Sequence, residues 1–435
     1  MAERRFFGTD GVRGPVGELL TPDLAVRLGR AAALRDESER PQVLIVRDTR
    51  ESGPMLEEAL AAGIAAGGGD AMLGGVLPTP AASILARRLS FDLAAVVSAS
   101  HNPFADNGIK FFNSRGTKLA DDAELEIEGL LDEETGERVG GVRALEGAFD
   151  DYIRELRSIF RLDLSGMRIA LDCANGATFR AAPVVFQALG ADLVLTAVEP
   201  DGRNINADCG STHPEALVEL VSSSGADIGF AYDGDGDRLI AVDGKGRLHD
   251  GDDLIALIAL DLRKRGELEG GVAVTVMTNF GFMQTMKQAG IEVIQTQVGD
   301  RYVIEQLLER DWRLGGEQSG HIVWTDFTPT GDGIAASLLT LRALGGRRLE
   351  DVEPFERLPQ RLENVRVKDR AAIEGATEVW SAVEEENAKL EGSGRVLVRP
   401  SGTEPLVRVM VEAPREDECE AICKRLVGIV ERVLA

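Results

Sequence analysis

Short β-branched runs recur along the chain with helix-like stretches between them. They are Val43-Leu44-Ile45-Val46, Ala94-Ala95-Val96-Val97, Arg168-Ile169-Ala170-Leu171, Asp227-Ile228-Gly229-Phe230, Val272-Ala273-Val274-Thr275-Val276 and Ile291-Glu292-Val293-Ile294. Strand, helix, strand in this order is the signature of largely parallel sheets covered by helices. Gly67-Gly68-Gly69 and Leu189-Gly190-Ala191 stand where helices end and strands begin, as left-handed helix caps require. From Asn364 the pattern changes to a strand at Val365-Arg366-Val367, a helix from about Ala376 to Glu391, strands at Arg395–Val398 and Leu406–Val411, and a closing helix. That order predicts a small α+β domain with an antiparallel sheet.

The expected organisation is three similar α/β domains with mainly parallel mixed sheets and a smaller C-terminal α+β domain, at residues 1–150, 151–250, 251–364 and 365–435. The acidic stretch Asp132-Glu133-Glu134-Thr135-Gly136-Glu137 precedes the helix around Tyr152 to Phe160 that opens the second domain, and the third starts near Asp252. A length of 435 residues suggests about three or four domains, at roughly 150 residues per domain. No short-period repeat is visible, which disfavours a solenoid.

Charge narrows the partners. The chain carries 48 basic and 73 acidic residues, a net −25, so its long-range field repels nucleic acid and anionic membranes. An anionic small molecule binds such a chain only where arginines and backbone N–H groups make a local positive pocket. No apolar run approaches the ~20 residues that span a bilayer, and the first residues lack the apolar core of a signal peptide, so a cytoplasmic location is expected. The four cysteines, Cys173, Cys209, Cys419 and Cys423, are expected to be reduced and partly buried, and no clustered Cys/His spacing suggests zinc.

Five segments carry candidate chemistry. In Tyr232-Asp233-Gly234-Asp235-Gly236-Asp237-Arg238, three carboxylates spaced by single glycines converge if the backbone turns tightly, which glycine permits. Hard oxygen ligands suit Mg²⁺ or Ca²⁺; an EF-hand would need a preceding helix and a Glu at position 12, whereas a strand precedes here. Three carboxylates leave part of a Mg²⁺ shell for phosphate oxygens, and Arg238 adds a cation. Val97-Ser98-Ala99-Ser100-His101-Asn102-Pro103 also ends a buried strand and offers two serines, between which spacing does not choose. His101, one of only four histidines, adjoins them, and Lys110 is a second cation or proton-transfer group. Gly315-Gly316-Glu317-Gln318-Ser319-Gly320-His321 offers Glu, Ser and His groups suited to sugar hydroxyls. Arg399-Pro400-Ser401-Gly402-Thr403-Glu404-Pro405, with Arg408, has the makings of a phosphate cradle without a Walker lysine. Phe7-Gly8-Thr9-Asp10-Gly11-Val12-Arg13-Gly14 is a glycine-rich loop with one arginine.

In this order, the five segments resemble the α-D-phosphohexomutase superfamily over nearly the whole chain, and within it the branch that acts on glucosamine phosphates. Thr330-Gly331-Asp332-Gly333 and Val298-Gly299-Asp300-Arg301-Tyr302 are similar to that branch as well, while the mannose- and glucose-phosphate enzymes, the nearest alternative, typically carry Met where Gln318 stands. The resemblance implies four domains around a central cleft, with Ser100 as the phosphorylated nucleophile and His101, Arg13, Lys110 and Arg238 around the reaction. It implies one Mg²⁺ on Asp233, Asp235, Asp237 and a phosphoserine oxygen. Glu317, Ser319 and His321 would then read the sugar, and Arg399, Ser401, Gly402, Thr403 and Arg408 the phosphate remote from the reaction. The implied activity is interconversion of glucosamine 6-phosphate and glucosamine 1-phosphate through a bound sugar 1,6-bisphosphate, feeding amino-sugar metabolism, in a possible homodimer. A non-catalytic sugar-phosphate sensor and a phosphatase are the other readings.

Overall fold

The computed structural model describes residues 5–8, 10–133, 138–401 and 405–434. Its strands form four sheets in chain order. The first contains β1 (Val12–Pro15), β2 (Gln42–Arg47), β3 (Asp70–Val76), β4 (Leu93–Val97), β5 (Asp106–Asn113) and β6 (Val142–Ala144), in spatial order β1-β5-β4-β2-β3-β6. β2 pairs in parallel with β3 and β4, and β5 runs antiparallel to β4 and β1. Helices α1 (Pro22–Arg35), α2 (Gly53–Ala66), α3 (Thr79–Leu89) and α4 (Asp121–Gly129) accompany it.

After α5 (Ala148–Ile159) comes the second sheet, of β7 (Arg168–Asp172), β8 (Asp192–Thr196), β9 (Ile228–Tyr232), β10 (Leu239–Asp243) and β11 (Leu248–His249), with helices α6 (Ala181–Ala188) and α7 (Glu215–Ser224). The third sheet has the order β13-β12-β14-β15, from β12 (Val272–Thr275), β13 (Val293–Thr296), β14 (Leu314–Gly316) and β15 (Ile322–Trp324). Its chain segment carries helices α8 (Gly251–Arg265), α9 (Phe280–Gln288), α10 (Asp300–Arg310) and α11 (Gly333–Leu344). The last sheet is fully antiparallel: β18 (Leu406–Glu412) lies between β16 (Gln360–Arg366) and β17 (Arg395–Pro400), with α12 (Thr377–Lys389) and α13 (Glu416–Leu434) beside it. Three mixed α/β domains and a smaller C-terminal α+β domain are thus present.

All six β-branched runs fall in or beside strands, and every residue of β4, β9 and β10 is buried. Such strands are covered on both faces, so their periodicity is a continuous apolar run. β16 begins at Gln360, ahead of the expected boundary at 365, because its pairing with β18 starts at Gln360 opposite Glu412. Two compact units emerge: Met1–Met277 with Glu292–Pro354, and Thr278–Ile291 with Phe355–Ala435. The second unit therefore includes α9, tied in by hydrogen bonds from Phe280 N–H to Glu412 Oε1 (3.2 Å) and from Arg395 Nη2 to Thr278 O (2.6 Å). All four cysteines are free and buried, and no helix among the described residues is long and apolar enough to cross a membrane.

Helices α1 and α2 touch backbone to backbone. A Cβ on Gly63 would fall 2.0 Å from Val26 O, and one on Gly29 would fall 2.2 Å from Leu60 O. Gly63→Ala must therefore push the helices apart, and is expected to cost about 1–3 kcal/mol. Thermal denaturation of the full chain checks this; an unchanged midpoint would mean that the crossing relaxes freely.

Candidate active site

Parallel strands of the first three sheets deliver loops at their C-terminal ends, where open α/β sheets place ligand groups. The loop after β4 distinguishes its two serines by their bonds. Ser98 Oγ donates to Asp48 Oδ2 (2.6 Å) and accepts the Ser100 N–H (2.9 Å), so this hydroxyl is consumed inside the turn. Ser100 Oγ instead points outward, donating to Asp233 Oδ2 (2.6 Å) with His101 Nδ1 at 3.3 Å. Ser100 has φ of +51°, a left-handed conformation that a serine holds only when its surroundings impose it.

Arg50 imposes it. This guanidinium is 1% exposed and donates from Nη2 to the carbonyls of Ser100 (2.9 Å) and Asn102 (2.8 Å) and from Nη1 to those of Asp106 (2.9 Å) and Pro103. Its Nε is held by Asp48 (2.9 Å), and Asn206 Nδ2 donates to the same Ser100 carbonyl (2.9 Å). Asp48, Arg50 and Asn206 carried no signal in the sequence reading. The clue available was a charged pair directly after β2, the strand beside β4.

The loop after β9 gathers the three aspartates. Asp233, Asp235 and Asp237 each offer a carboxylate oxygen, and these oxygens lie within 4.8 Å of one another, all buried. Gly234 is needed for the approach, since a Cβ there would sit 2.5 Å from Ser100 O, and Gly236 turns the chain with φ of +74°. Burial, reinforced by Asp237 and Asp235, pushes the Asp233 carboxyl well up. For Asp235 burial acts in the same direction, but the Lys110 ammonium 2.6 Å from its Oδ2 overrides it and holds the group low. Thr79 Oγ1 donates to that oxygen too (2.6 Å). Burial opposes the charge on Lys110, yet Asp235, Asp10 and Asp237 more than offset it and raise its pKa.

The Oδ1 atoms of Asp235 and Asp237 are buried without a hydrogen-bond partner. Orphaned carboxylate oxygens in an all-oxygen donor set are what a hard divalent cation requires, so the residues present fit one.

A cavity of about 500 Å³ opens beside this cluster, within the first compact unit, large enough for a hexose phosphate. Ser100, His101, Arg13, Arg238, Glu317 and Ser319 all line it. Burial and the charges of Arg238 and Arg13 lower His101 to about 4, so it is a neutral imidazole at neutral pH. Glu317 Oε1 accepts the Gly299 N–H (3.0 Å), and burial raises its carboxyl.

His321, expected to read sugar hydroxyls, also lines this cavity, and its ring makes contacts within the protein as well. Its Nε2 accepts the Gly331 N–H (3.0 Å), which leaves the ring proton on Nδ1, 3.5 Å from Asp237 Oδ2. Both nitrogens are engaged by the protein, so the ring braces an aspartate of the acidic loop. Gln318 likewise turns its amide to Asp250 Oδ2 (3.2 Å), the cap of α8, while still bordering the cavity. Another unforeseen member is Lys118, buried between Asp10 and Asp300 and bonded to both.

In the second unit, Arg399 and Arg408 are direct partners across β17 and β18. Burial, and secondarily Arg408, lowers the Arg399 pKa. Like charges placed opposite one another destabilise a sheet unless an anion joins them. Arg370 Nη1, a third guanidinium, donates to Ser401 O (2.9 Å). Gly402 and Thr403 lie outside the described residues.

Comparison with known proteins adds to this geometry. The chain matches the phosphoglucomutase/phosphomannomutase alpha/beta/alpha domain I over residues 4–138, domain II over 150–246, domain III over 250–360 and the C-terminal domain over 362–429. A phosphoglucosamine mutase from Pelotomaculum thermopropionicum is 50% identical over 440 residues, covering 98% of this chain and 99% of that one. One from Alcanivorax borkumensis is 48% identical over 441 residues, covering 99% of each. Among solved structures, a phosphoglucomutase/phosphomannomutase family protein from Burkholderia thailandensis has a TM-score of 0.84 at 25% identity, covering 98% of this chain and 97% of that one. The likeness of fold extends to an Aspergillus fumigatus N-acetylphosphoglucosamine mutase, solved with GlcNAc-6P and magnesium, with a TM-score of 0.69 at 18% identity and coverage of 100% and 96%.

Arg50→Lys keeps the charge beside Asp48 but loses the planar fork that reaches four carbonyls. Amide exchange in residues 98–106 is expected to rise by about tenfold or more, the scale of one charged hydrogen bond, while α1 and α2 stay protected. Hydrogen–deuterium exchange reads this directly, and unchanged protection would show that Arg50 does not hold the turn.

Proposed function

The chain belongs to the phosphoglucomutase/phosphomannomutase family, within the α-D-phosphohexomutase superfamily, and on that premise we infer a phosphoglucosamine mutase. This isomerase interconverts glucosamine 6-phosphate and glucosamine 1-phosphate, with Ser100 as the phosphoryl carrier and a sugar 1,6-bisphosphate as the bound intermediate. The observation that carries the reading is Ser100, which lines a sugar-sized cavity and whose Oγ lies 2.6 Å from the first of three clustered aspartates.

Asp233, Asp235 and Asp237 are the groups that would hold Mg²⁺, together with an oxygen of phosphorylated Ser100. Bound there, the ion would neutralise phosphate charge and ease departure of the serine oxygen. The chain's own residues supply the rest. Arg13 and Arg238 border the cavity and meet the charge of the transferring group. Lys110, buried and charged, keeps Asp235 ionised.

Transfer forms a bond from phosphorus to the sugar O1 and breaks the bond from phosphorus to Ser100 Oγ, the hydroxyl proton leaving to a base in the cavity. The reverse transfer, from O6 of the reoriented bisphosphate, restores the phosphoserine. Glu317 and Ser319 orient the ring through its hydroxyls, since positioning supplies much of the rate in phosphoryl transfer. For the loop between β17 and β18, the paired guanidiniums of Arg399 and Arg408, with Ser401, support phosphate binding.

A coupled mutase assay tests this reading. kcat/KM for glucosamine 1-phosphate is expected to exceed that for glucose 1-phosphate and mannose 1-phosphate by about tenfold or more. Ser100→Ala is expected to lose at least about 10³-fold in kcat. A preference for mannose 1-phosphate, or a Ser100→Ala variant with wild-type turnover, would overturn it.

A further inference from the structure

We propose that the segment Thr330-Gly331-Asp332-Gly333 is a clamp that sets the geometry of the acidic loop, with Gly331, Asp332 and Gly333 acting as positioning residues for its divalent cation. The proposal rests on the reading of Asp233, Asp235 and Asp237 as a metal site. Its basis is where the segment touches that loop.

Gly333 N–H donates to Gly236 O (3.0 Å), at the residue that turns the chain between Asp235 and Asp237. A Cβ on Gly331 would lie 2.5 Å from Asp237 O and 2.7 Å from the His321 ring. One on Gly333 would lie 2.5 Å from Arg238 O and 2.8 Å from the Tyr232 ring. Neither glycine has a positive φ, so neither is required for backbone freedom. Both are glycine because the acidic loop occupies the space a side chain would need.

Gly331 has a second effect. By donating to His321 Nε2 it directs the ring's Nδ1–H toward Asp237 Oδ2, at 3.5 Å. The other oxygen of that carboxylate is the buried one without a partner, so the chain Gly331, His321, Asp237 fixes which oxygen is left for the ion. Partners of this kind orient metal ligands, and their loss typically costs about 10–100-fold in affinity.

Asp332 anchors the clamp. Its Oδ1 caps α11 by accepting the Ala335 N–H (2.9 Å), and its Oδ2 accepts the Tyr152 hydroxyl from α5 (2.9 Å). Both side chains are buried, at 2% and 0% exposure, and neither borders the cavity, so they act only through what they hold. A helix cap alone would need Asp332 and nothing more. The two close glycines and the bond to Gly236 are what the cap does not account for.

The test measures Mn²⁺ affinity by electron paramagnetic resonance on the full chain, alongside the Mg²⁺ dependence of mutase turnover. Gly331→Ala and Tyr152→Phe are expected to weaken Mn²⁺ binding by about tenfold, and excess Mg²⁺ is expected to restore much of their turnover. Gly63→Ala, destabilising but remote, is expected to bind Mn²⁺ as the wild type does. Should Gly331→Ala fail to fold, Tyr152→Phe alone decides. If the wild type binds Mn²⁺ and Tyr152→Phe binds it within twofold as tightly, the clamp is refuted and the metal site stands. If the wild type binds none, or Asp235→Asn binds it equally well, the metal reading falls and takes the clamp with it.

Discussion

Three aspartates buried on one short loop repel one another and resist ionisation, and the first three domains are organised around that cost. Burial and mutual repulsion push Asp233 toward its neutral form. What keeps the cluster usable is the set of groups brought to it from elsewhere. Lys110, on β5, sits on Asp235; His321, just before β15, faces Asp237; and Ser100, in the loop after β4, bonds Asp233. Each contact comes from a different stretch of chain, so the cluster forms only when the three sheets are in place. On the proposed reading, a divalent cation held by these carboxylates would complete the compensation and draw in the phosphoryl group assigned to Ser100.

The same principle extends across the cavity wall. Lys118 lies between Asp10 and Asp300, so a buried cation links the arginine-bearing N-terminal loop to the first turn of α10. Arg301, next in sequence to Asp300, pairs with Asp121 and Glu124 on α4. A chain with net charge −25 thus presents a locally balanced cleft to a dianionic ligand. The global charge constrains which macromolecules approach, while the local pairs decide what binds.

Much of this was legible because it is local. β-branched runs marked the strands, and Asp-Gly-Asp-Gly-Asp after a buried strand announced convergent carboxylates within a few residues of chain. The choice between Ser98 and Ser100 was not legible from spacing; it depends on Asp48, which lies on a neighbouring strand end and claims the Ser98 hydroxyl. Arg50, Asn206, Lys118 and Tyr152 were invisible for the same reason. Each is a single ordinary residue whose partner is more than fifty positions away or is a backbone carbonyl, and no motif records such a bond. His321 was noticed for its rarity, but its contacts with Gly331 and Asp237 were not foreseen, since which groups surround an imidazole is a property of the fold. The inclusion of α9 with the C-terminal unit had no local signature at all.

The central claim is that Ser100 passes its phosphoryl group to a sugar and recovers it. Loading the enzyme with ³²P on Ser100 and mixing it, in excess, with unlabelled glucosamine 6-phosphate under single-turnover conditions follows that group directly. The label is expected to leave Ser100, appear in a hexosamine 1,6-bisphosphate, and end in glucosamine 1-phosphate. Label that stays on Ser100 while isomerisation proceeds, or that is released as inorganic phosphate, would contradict the account.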